Sequence, residues 1–138
     1  MTSPPAICPY PRACVLIVED DAPVRRSLQL LLRSHGLDVR AYASGRTALA
    51  DPLAQSAHCL IADLAMPDPD GLTLLRSLRE LGWSGPAILV SGQIDDDIER
   101  RGREAGFDAV LRKPIFDRQL TGRISELLAE ARGAGEEI

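Results

Sequence analysis

Residues 14–36 read CVLIVEDDAPVRRSLQLLLRSHG, and this stretch decides the fold. Its first five residues, Cys14 to Val18, are a continuous apolar run rich in β-branched side chains. Such a run, with no polar alternation, is a strand covered on both faces, as in a parallel sheet between two helix layers. Glu19, Asp20 and Asp21 end it abruptly. Asp21-Ala-Pro then opens a helix: the Asp21 carboxylate can cap it, and Pro23 sits in the first turn, where its missing N–H costs nothing. Val24, Leu28, Leu31 and Leu32 recur at helical spacing, and Gly36 closes the helix.

The same unit repeats down the chain. Leu37, Val39 and Ala41 alternate as a half-exposed strand, and Ser44 caps a second helix predicted over residues 44–55, with Pro52 near its end. Residues 59–62 are a third strand stopping at Asp63, and Met66 to Gly71 (MPDPDG) is loop chemistry. Leu72, Leu75, Leu78 and Leu81 mark a third helix closed by Gly82. Residues 86–90 form a fourth strand ending at Ser91-Gly92. A short polar helix follows over residues 95–105, with Ile98 and Ala105 its clear apolar positions. Residues 109–111 are a fifth strand before Lys113-Pro114, and Leu120, Ile124, Leu127 and Leu128 line one face of a last helix over residues 117–132. Strands alternating with helices predict an α/β domain, (βα)5, its parallel sheet doubly wound by right-handed crossovers.

The flanks and the composition fit one such domain. Pro4, Pro5, Pro9 and Pro11 make residues 1–13 an extended tail, the domain spans 14–132, and residues 133–138 are a short C-terminal tail. The 138 residues are 45% hydrophobic and 26% charged, enough apolar material for a real core and incompatible with disorder throughout. No apolar run approaches membrane-spanning length, and the N-terminus lacks the basic and apolar regions of a signal peptide. A net charge of −4 argues against gripping nucleic acid by bulk charge. Cys8, Cys14 and Cys59 form no CxxC pair; Cys14 and Cys59 lie in apolar runs and read as core thiols in a reducing, cytoplasmic setting. With only His35 and His58 for histidine, a metal must sit on carboxylates. Of the 16 basic residues, all but Lys113 are arginine, which points to a position where a compact ammonium is required.

Ligands of open parallel sheets bind at the carboxyl ends of the strands. After strand one come Glu19, Asp20 and Asp21; after strand three, Asp63; after strand four, Ser91; after strand five, Lys113. Each alone is commonplace as a cap, a loop residue or a turn. Arriving together in that order, they form a constellation. Clustered carboxylates repel unless a cation sits among them, and with oxygen ligands and room for water Mg2+ is the natural guest. A carboxylate beside it can attack phosphorus to give an aspartyl phosphate. Lys113 and Ser91 are placed to neutralise and hydrogen-bond the phosphoryl oxygens.

These residues resemble the receiver domain of two-component response regulators. The resemblance runs from about Cys14 to Arg132 on VLIVEDDAPVR, IADLAMPDPDG, ILVSG and AGFDAVLRKP, and is similar most of all to the subgroup that often carries a helix-turn-helix output domain. It implies a flavodoxin-like sheet with strand order 2-1-3-4-5. It makes Asp63 the phosphoacceptor, Asp20 the direct metal ligand, Glu19 its partner, and the carbonyl of Ala65 the backbone ligand. Ser91 becomes the switch hydroxyl and Lys113 the phosphate-binding lysine, its bond to Pro114 usually cis. Mg2+ is the implied cofactor. The implied donor is a phosphohistidine on a sensor histidine kinase or a histidine phosphotransfer protein. A downstream protein or second copy would meet the helix 4–strand 5–helix 5 face, with no direct nucleic-acid or membrane contact. The domain would not be an enzyme beyond self-catalysed phosphoryl transfer and slow autodephosphorylation.

One position departs from the family. Three residues before the lysine, where the family has Tyr or Phe, stands Val110; Phe107 is offset by three and reads as core. Two other functions compete. A Mg2+-dependent phosphatase with an aspartyl nucleophile would want a second acid where this chain has Ala65, and a cap domain. A receiver-like binding module that ignores phosphorylation fits Val110 but not the intact acid, serine and lysine set.

Overall fold

A computed structural model describes residues 13–115 and 117–136. The predicted tail falls almost entirely on residues 1–12, and residues 137–138 end the chain; both lie outside the described residues. Five parallel strands, β1 (Cys14–Val18), β2 (Asp38–Tyr42), β3 (Cys59–Asp63), β4 (Ala87–Ser91) and β5 (Ala109–Arg112), form one sheet in the order β2-β1-β3-β4-β5. The helices are α1 (Ala22–Ser34), α2 (Gly45–Ala50), α3 (Gly71–Glu80), α4 (Asp96–Ala105) and α5 (Asp117–Glu136). This is the doubly wound, flavodoxin-like arrangement that the alternation and the resemblance predict.

The apolar runs are continuous because each strand feeds two cores. Val15, Ile17, Ile61, Ile88 and Val90 pack with Leu28 and Leu32 of α1 and Leu120 and Ile124 of α5. Leu16, Val18, Leu60, Ala62 and Leu89 face the other way, onto Leu74, Leu75 and Leu78 of α3 with Phe107 and Trp83. Truncating one of these fully buried leucines to alanine costs ~2–5 kcal/mol. The helix starts are fixed locally: Asp21, Ser44, Asp70 and Asp95 each accept a hydrogen bond from a backbone N–H three residues on, worth ~1 kcal/mol per cap. Gly36, Gly82 and Gly106 turn the chain out of α1, α3 and α4 with φ of 83°, 96° and 107°, a conformation open to glycine at no steric cost.

Two helices differ from the pattern. The second helix stops at Ala50 rather than running to residue 55. Pro52 has no N–H to continue the ladder; Asp51 instead accepts from Leu53 N at 3.0 Å and a separate 3-10 turn covers Pro52–Ser56. The last helix runs on to Glu136, through Gly133 and Gly135, beyond the point where apolar periodicity stops. Cys59 is buried as predicted, whereas Cys14 opens β1 only half-buried, and that burial pushes its thiol up.

Candidate functional site

β3 is the central strand of the sheet and β1 pairs beside it, and their carboxyl ends deliver the acids. The ladder continues one residue past β1, with Glu19 N donating to Tyr42 O at 3.1 Å, so Glu19 is drawn inward and is 1% exposed. Its Oε1 accepts from Asp21 N at 3.1 Å, and Arg25 of α1 donates to its carbonyl at 2.9 Å. Asp20, next in line, is exposed. Asp63 is the last residue of β3 and 4% exposed; its Oδ1 accepts from Ala65 N at 3.2 Å. Carboxylate oxygens of Glu19, Asp20 and Asp63 all lie within 4.8 Å of one another.

Lys113 reaches these acids from β5. Its backbone N donates to Ser91 O at 2.8 Å, extending the β4–β5 pairing to the edge, and the peptide to Pro114 is cis, as is Asp68–Pro69. The ammonium Nζ sits 2.8 Å from Glu19 Oε2 and 3.2 Å from Asp63 Oδ2. Oε2 of Glu19 is a fully buried carboxylate oxygen whose partner is the Lys113 ammonium. Burial pushes the Glu19 carboxyl up, the Asp63 charge adds to this, and Lys113 and the Asp21 N–H only partly offset it. At Lys113, burial disfavours the ammonium, yet Glu19 and Asp63 outweigh burial and hold the amine above its usual range.

The donor set is all oxygen, three carboxylates, two of them buried, against one ammonium. That is a set a hard divalent cation fits and a thiolate or imidazole metal does not.

Glu19, Asp20, Asp63 and Lys113 thus converge as the strand-end argument expects. Ser91, the last residue of β4 and 4% exposed, lies at the same edge with its hydroxyl turned elsewhere: Oγ donates to Gln93 O at 2.8 Å and accepts from Gln93 N at 3.3 Å. Ala65 is exposed on the loop after β3. Sequence reasoning passed over Gly71 at the start of α3. A Cβ there would lie 2.6 Å from the Asp63 carbonyl oxygen, so only glycine lets α3 close over the Asp63 peptide. The Asp70-Gly71 pair was its local signal, read only as the end of the Met66 to Gly71 loop. Val110 is half-buried and Phe107 is core, in line with the offset noted between them.

Comparison with known proteins gives a consistent picture. The response regulator receiver domain family model matches residues 15–125. The chain is 36% identical over 118 residues to the response regulator protein TodT of Pseudomonas putida, covering 85% of this chain and 52% of TodT. It is 33% identical over 138 residues to the alkaline phosphatase synthesis transcriptional regulatory protein SphR of Synechococcus elongatus, covering 94% of this chain and 53% of SphR. The chain therefore spans about half the length of the curated relatives it matches. A CheY-like response regulator receiver domain protein from Methanospirillum hungatei superposes with a TM-score of 0.82 at 28% identity, covering 89% of this chain and 98% of that one.

Proposed function

This chain belongs to the response regulator receiver domain family, and from that premise we propose that Asp63 is its phosphoacceptor. It is a receiver domain of two-component signalling, a regulatory rather than a metabolic module. The observation that carries the reading is the single ammonium of Lys113, 2.8 Å from Glu19 and 3.2 Å from Asp63, at the edge where β1, β3, β4 and β5 end. An Asp63 carboxylate oxygen forms the new P–O bond as the P–N bond of a donor phosphohistidine breaks, and the imidazole departs. Lys113 stands ready to neutralise a phosphoryl oxygen, and the Ser91 hydroxyl to hydrogen-bond another once it leaves Gln93.

Glu19, Asp20, Asp63 and the Ala65 carbonyl would hold Mg2+. When bound, Mg2+ supplies further positive charge for the phosphoryl oxygens. Nothing beyond this self-catalysed transfer and a slow hydrolysis is assigned to the domain, which we place at residues 14–132. The donor is a sensor histidine kinase or a histidine phosphotransfer protein in the cytoplasm. An apolar groove of about 300 Å³ beside Lys113, lined by Val24, Leu28 and Leu31 of α1 with Pro114 and Ile115, supports a protein donor. Output goes to a protein or a second copy through α4, β5 and α5, with no direct nucleic-acid contact. Among the described residues no helix is long and apolar enough to cross a membrane.

The test is intact mass after incubation with acetyl phosphate and Mg2+. One phosphoryl group on the wild type and none on Asp63→Asn is the expected result. Equal labelling of both would place the acceptor elsewhere.

A further inference from the structure

Residues 64–70, between β3 and α3, carry the Ala65 carbonyl assigned to the metal, and both ends of this loop are anchored from within. Leu64 N donates to Val90 O at 2.9 Å and Met66 N to Leu64 O at 3.0 Å, and the Met66 side chain is buried. At the other end Asp70 caps α3, accepting from Thr73 N at 2.9 Å, and Gly71 abuts the Asp63 carbonyl. Between these anchors Pro67 and Asp68 stand exposed and Pro69 is half-buried. The Arg46–Asp68 pair, which also links the loop to α2, is 3.9 Å long with both side chains exposed and contributes little. The outer turn of the loop therefore depends on what Pro69 touches.

Pro69 is seated on the first residue of α2. Gly45 is buried there, and a Cβ on it would lie 2.8 Å from Pro69 Cγ, 3.4 Å from Pro69 Cδ and 3.5 Å from Leu74 Cδ1. The first of these is far inside carbon–carbon contact, so the proline ring occupies the place of the missing side chain. Gly45 is not among the glycines of positive φ, and alanine would make the better helix; what the glycine supplies is room. Neither side of the contact is soft. Ser44 fixes the start of α2, accepting from Thr47 N at 3.2 Å, and Thr47 Oγ1 donates back to Ser44 O at 2.9 Å. The Pro69 ring is closed onto its own backbone nitrogen and cannot swing aside without moving the chain.

We propose that Gly45 and Pro69 are positioning residues for the metal: α2 braces the loop from outside, and the proline ring seated in the Gly45 notch sets where Ala65 stands relative to Glu19, Asp20 and Asp63. It rests on the reading of those acids and the Ala65 carbonyl as the Mg2+ site. Between brace and ligand lies Met66-Pro67-Asp68-Pro69. Both prolines have a fixed φ, and the residue before each is sterically confined, so the four residues behave as a stiff strut. A push on Pro69 is passed along this strut rather than absorbed in it. Its inner end is Met66, and the next residue is Ala65, exposed and joined to Asp63 Oδ1 by an N–H at 3.2 Å. Mg2+ is intolerant of misplaced ligands, since it demands near-ideal octahedral geometry. Asp63 on β3 and Lys113 beyond β5 are held by the sheet and lie off this path, so the strut governs metal affinity and leaves the nucleophile in place.

Calorimetric titration with Mg2+ tests it, alongside acetyl phosphate labelling read by intact mass across a Mg2+ series. Gly45→Ala should raise the Mg2+ Kd by about tenfold or more, the low end for groups that orient metal ligands. The Mg2+ needed for half-maximal labelling should rise by the same factor, while the rate at saturating Mg2+ stays within about twofold of the wild type. Trp83→Phe, which weakens the fold away from the site, should leave the Kd unchanged. If Gly45→Ala does not fold, the wild type decides. Coupling is reciprocal, so metal that draws on the brace must tighten it, and hydrogen exchange read by mass spectrometry should slow across residues 44–48 when Mg2+ is added. A wild-type Kd in Gly45→Ala, a Kd shift shared by Trp83→Phe, a labelling loss that saturating Mg2+ does not recover, or exchange at the start of α2 indifferent to Mg2+ would each overturn the brace. Asp20→Ala separates the two readings. A wild type that binds no Mg2+, or an Asp20→Ala protein that binds it as tightly, overturns the metal site and the brace together, whereas loss of binding in Asp20→Ala with full binding in Gly45→Ala overturns the brace alone.

Discussion

Lys113→Met removes the ammonium from between two buried carboxylates while keeping an unbranched chain of similar length. The Glu19 side chain is 1% exposed and that of Asp63 5%, against 22% for Lys113. At an effective dielectric of ~20, contacts of 2.8 and 3.2 Å correspond to gross attractions of about 6 and 5 kcal/mol. Most of this repays the desolvation of the three groups, and what remains on breaking a buried pair is ~3–5 kcal/mol. Partial exposure of the lysine lowers the expected loss to ~2–4 kcal/mol at pH 7.5 without metal, a large share of the ~5–15 kcal/mol of a typical domain. The sign with pH is fixed. Glu19 is already held above its ordinary value of 4.5 by burial, and losing Lys113 raises it further. A carboxyl raised in the folded state contributes stability below its unfolded value that is lost as pH rises through the folded one. The variant should therefore close on the wild type as pH falls toward 5. Mg2+ at ~100-fold over its Kd should return ~2.7 kcal/mol to each protein for which it is specific to the folded state. Urea unfolding in EDTA and in Mg2+, at pH 7.5 and 5.5, reads all three effects. A Lys113→Met protein as stable as the wild type in EDTA at pH 7.5, or a deficit that persists unchanged at low pH, would refute the reasoning.

Lys113→Arg should fold and bind Mg2+ yet lose much of the response to a phosphoryl mimic, because a planar fork replaces a compact ammonium; exchange with and without beryllofluoride checks it. Asp20→Ala should abolish the Mg2+-dependent rise in Tm with little change in metal-free Tm, since Asp20 is exposed and joins the cluster only through its carboxylate; thermal unfolding across a Mg2+ series checks it. Gly71→Ala puts a Cβ 2.6 Å from Asp63 O and should destabilise by ~1–3 kcal/mol while slowing acetyl phosphate labelling. Trp83→Phe deprives the Ala57 carbonyl of its indole donor at 2.9 Å in a buried setting and should cost ~1–3 kcal/mol, read by urea unfolding followed by circular dichroism.

The sequence by itself determined the order of elements and the residues at the strand ends. Both follow from information held within a few residues: unbroken apolar runs, helical spacing, and caps such as Asp21 and Ser44. Even the break in the second helix was written locally, in Asp51-Pro52. Topology then carried Glu19, Asp63, Ser91 and Lys113 to one edge, because parallel strands all end on the same side. Tertiary structure alone decided how those side chains meet. Lys113 stands closer to Glu19 than to Asp63, and the Ser91 hydroxyl faces Gln93. Gly71 and Gly102 are contact points rather than mere turn or helix residues. Such distances join residues far apart in the chain, and they are set by how closely α3 and α4 settle on β4. Local periodicity fixes which face a residue occupies, while the last ångström of approach belongs to the packing of every neighbour at once.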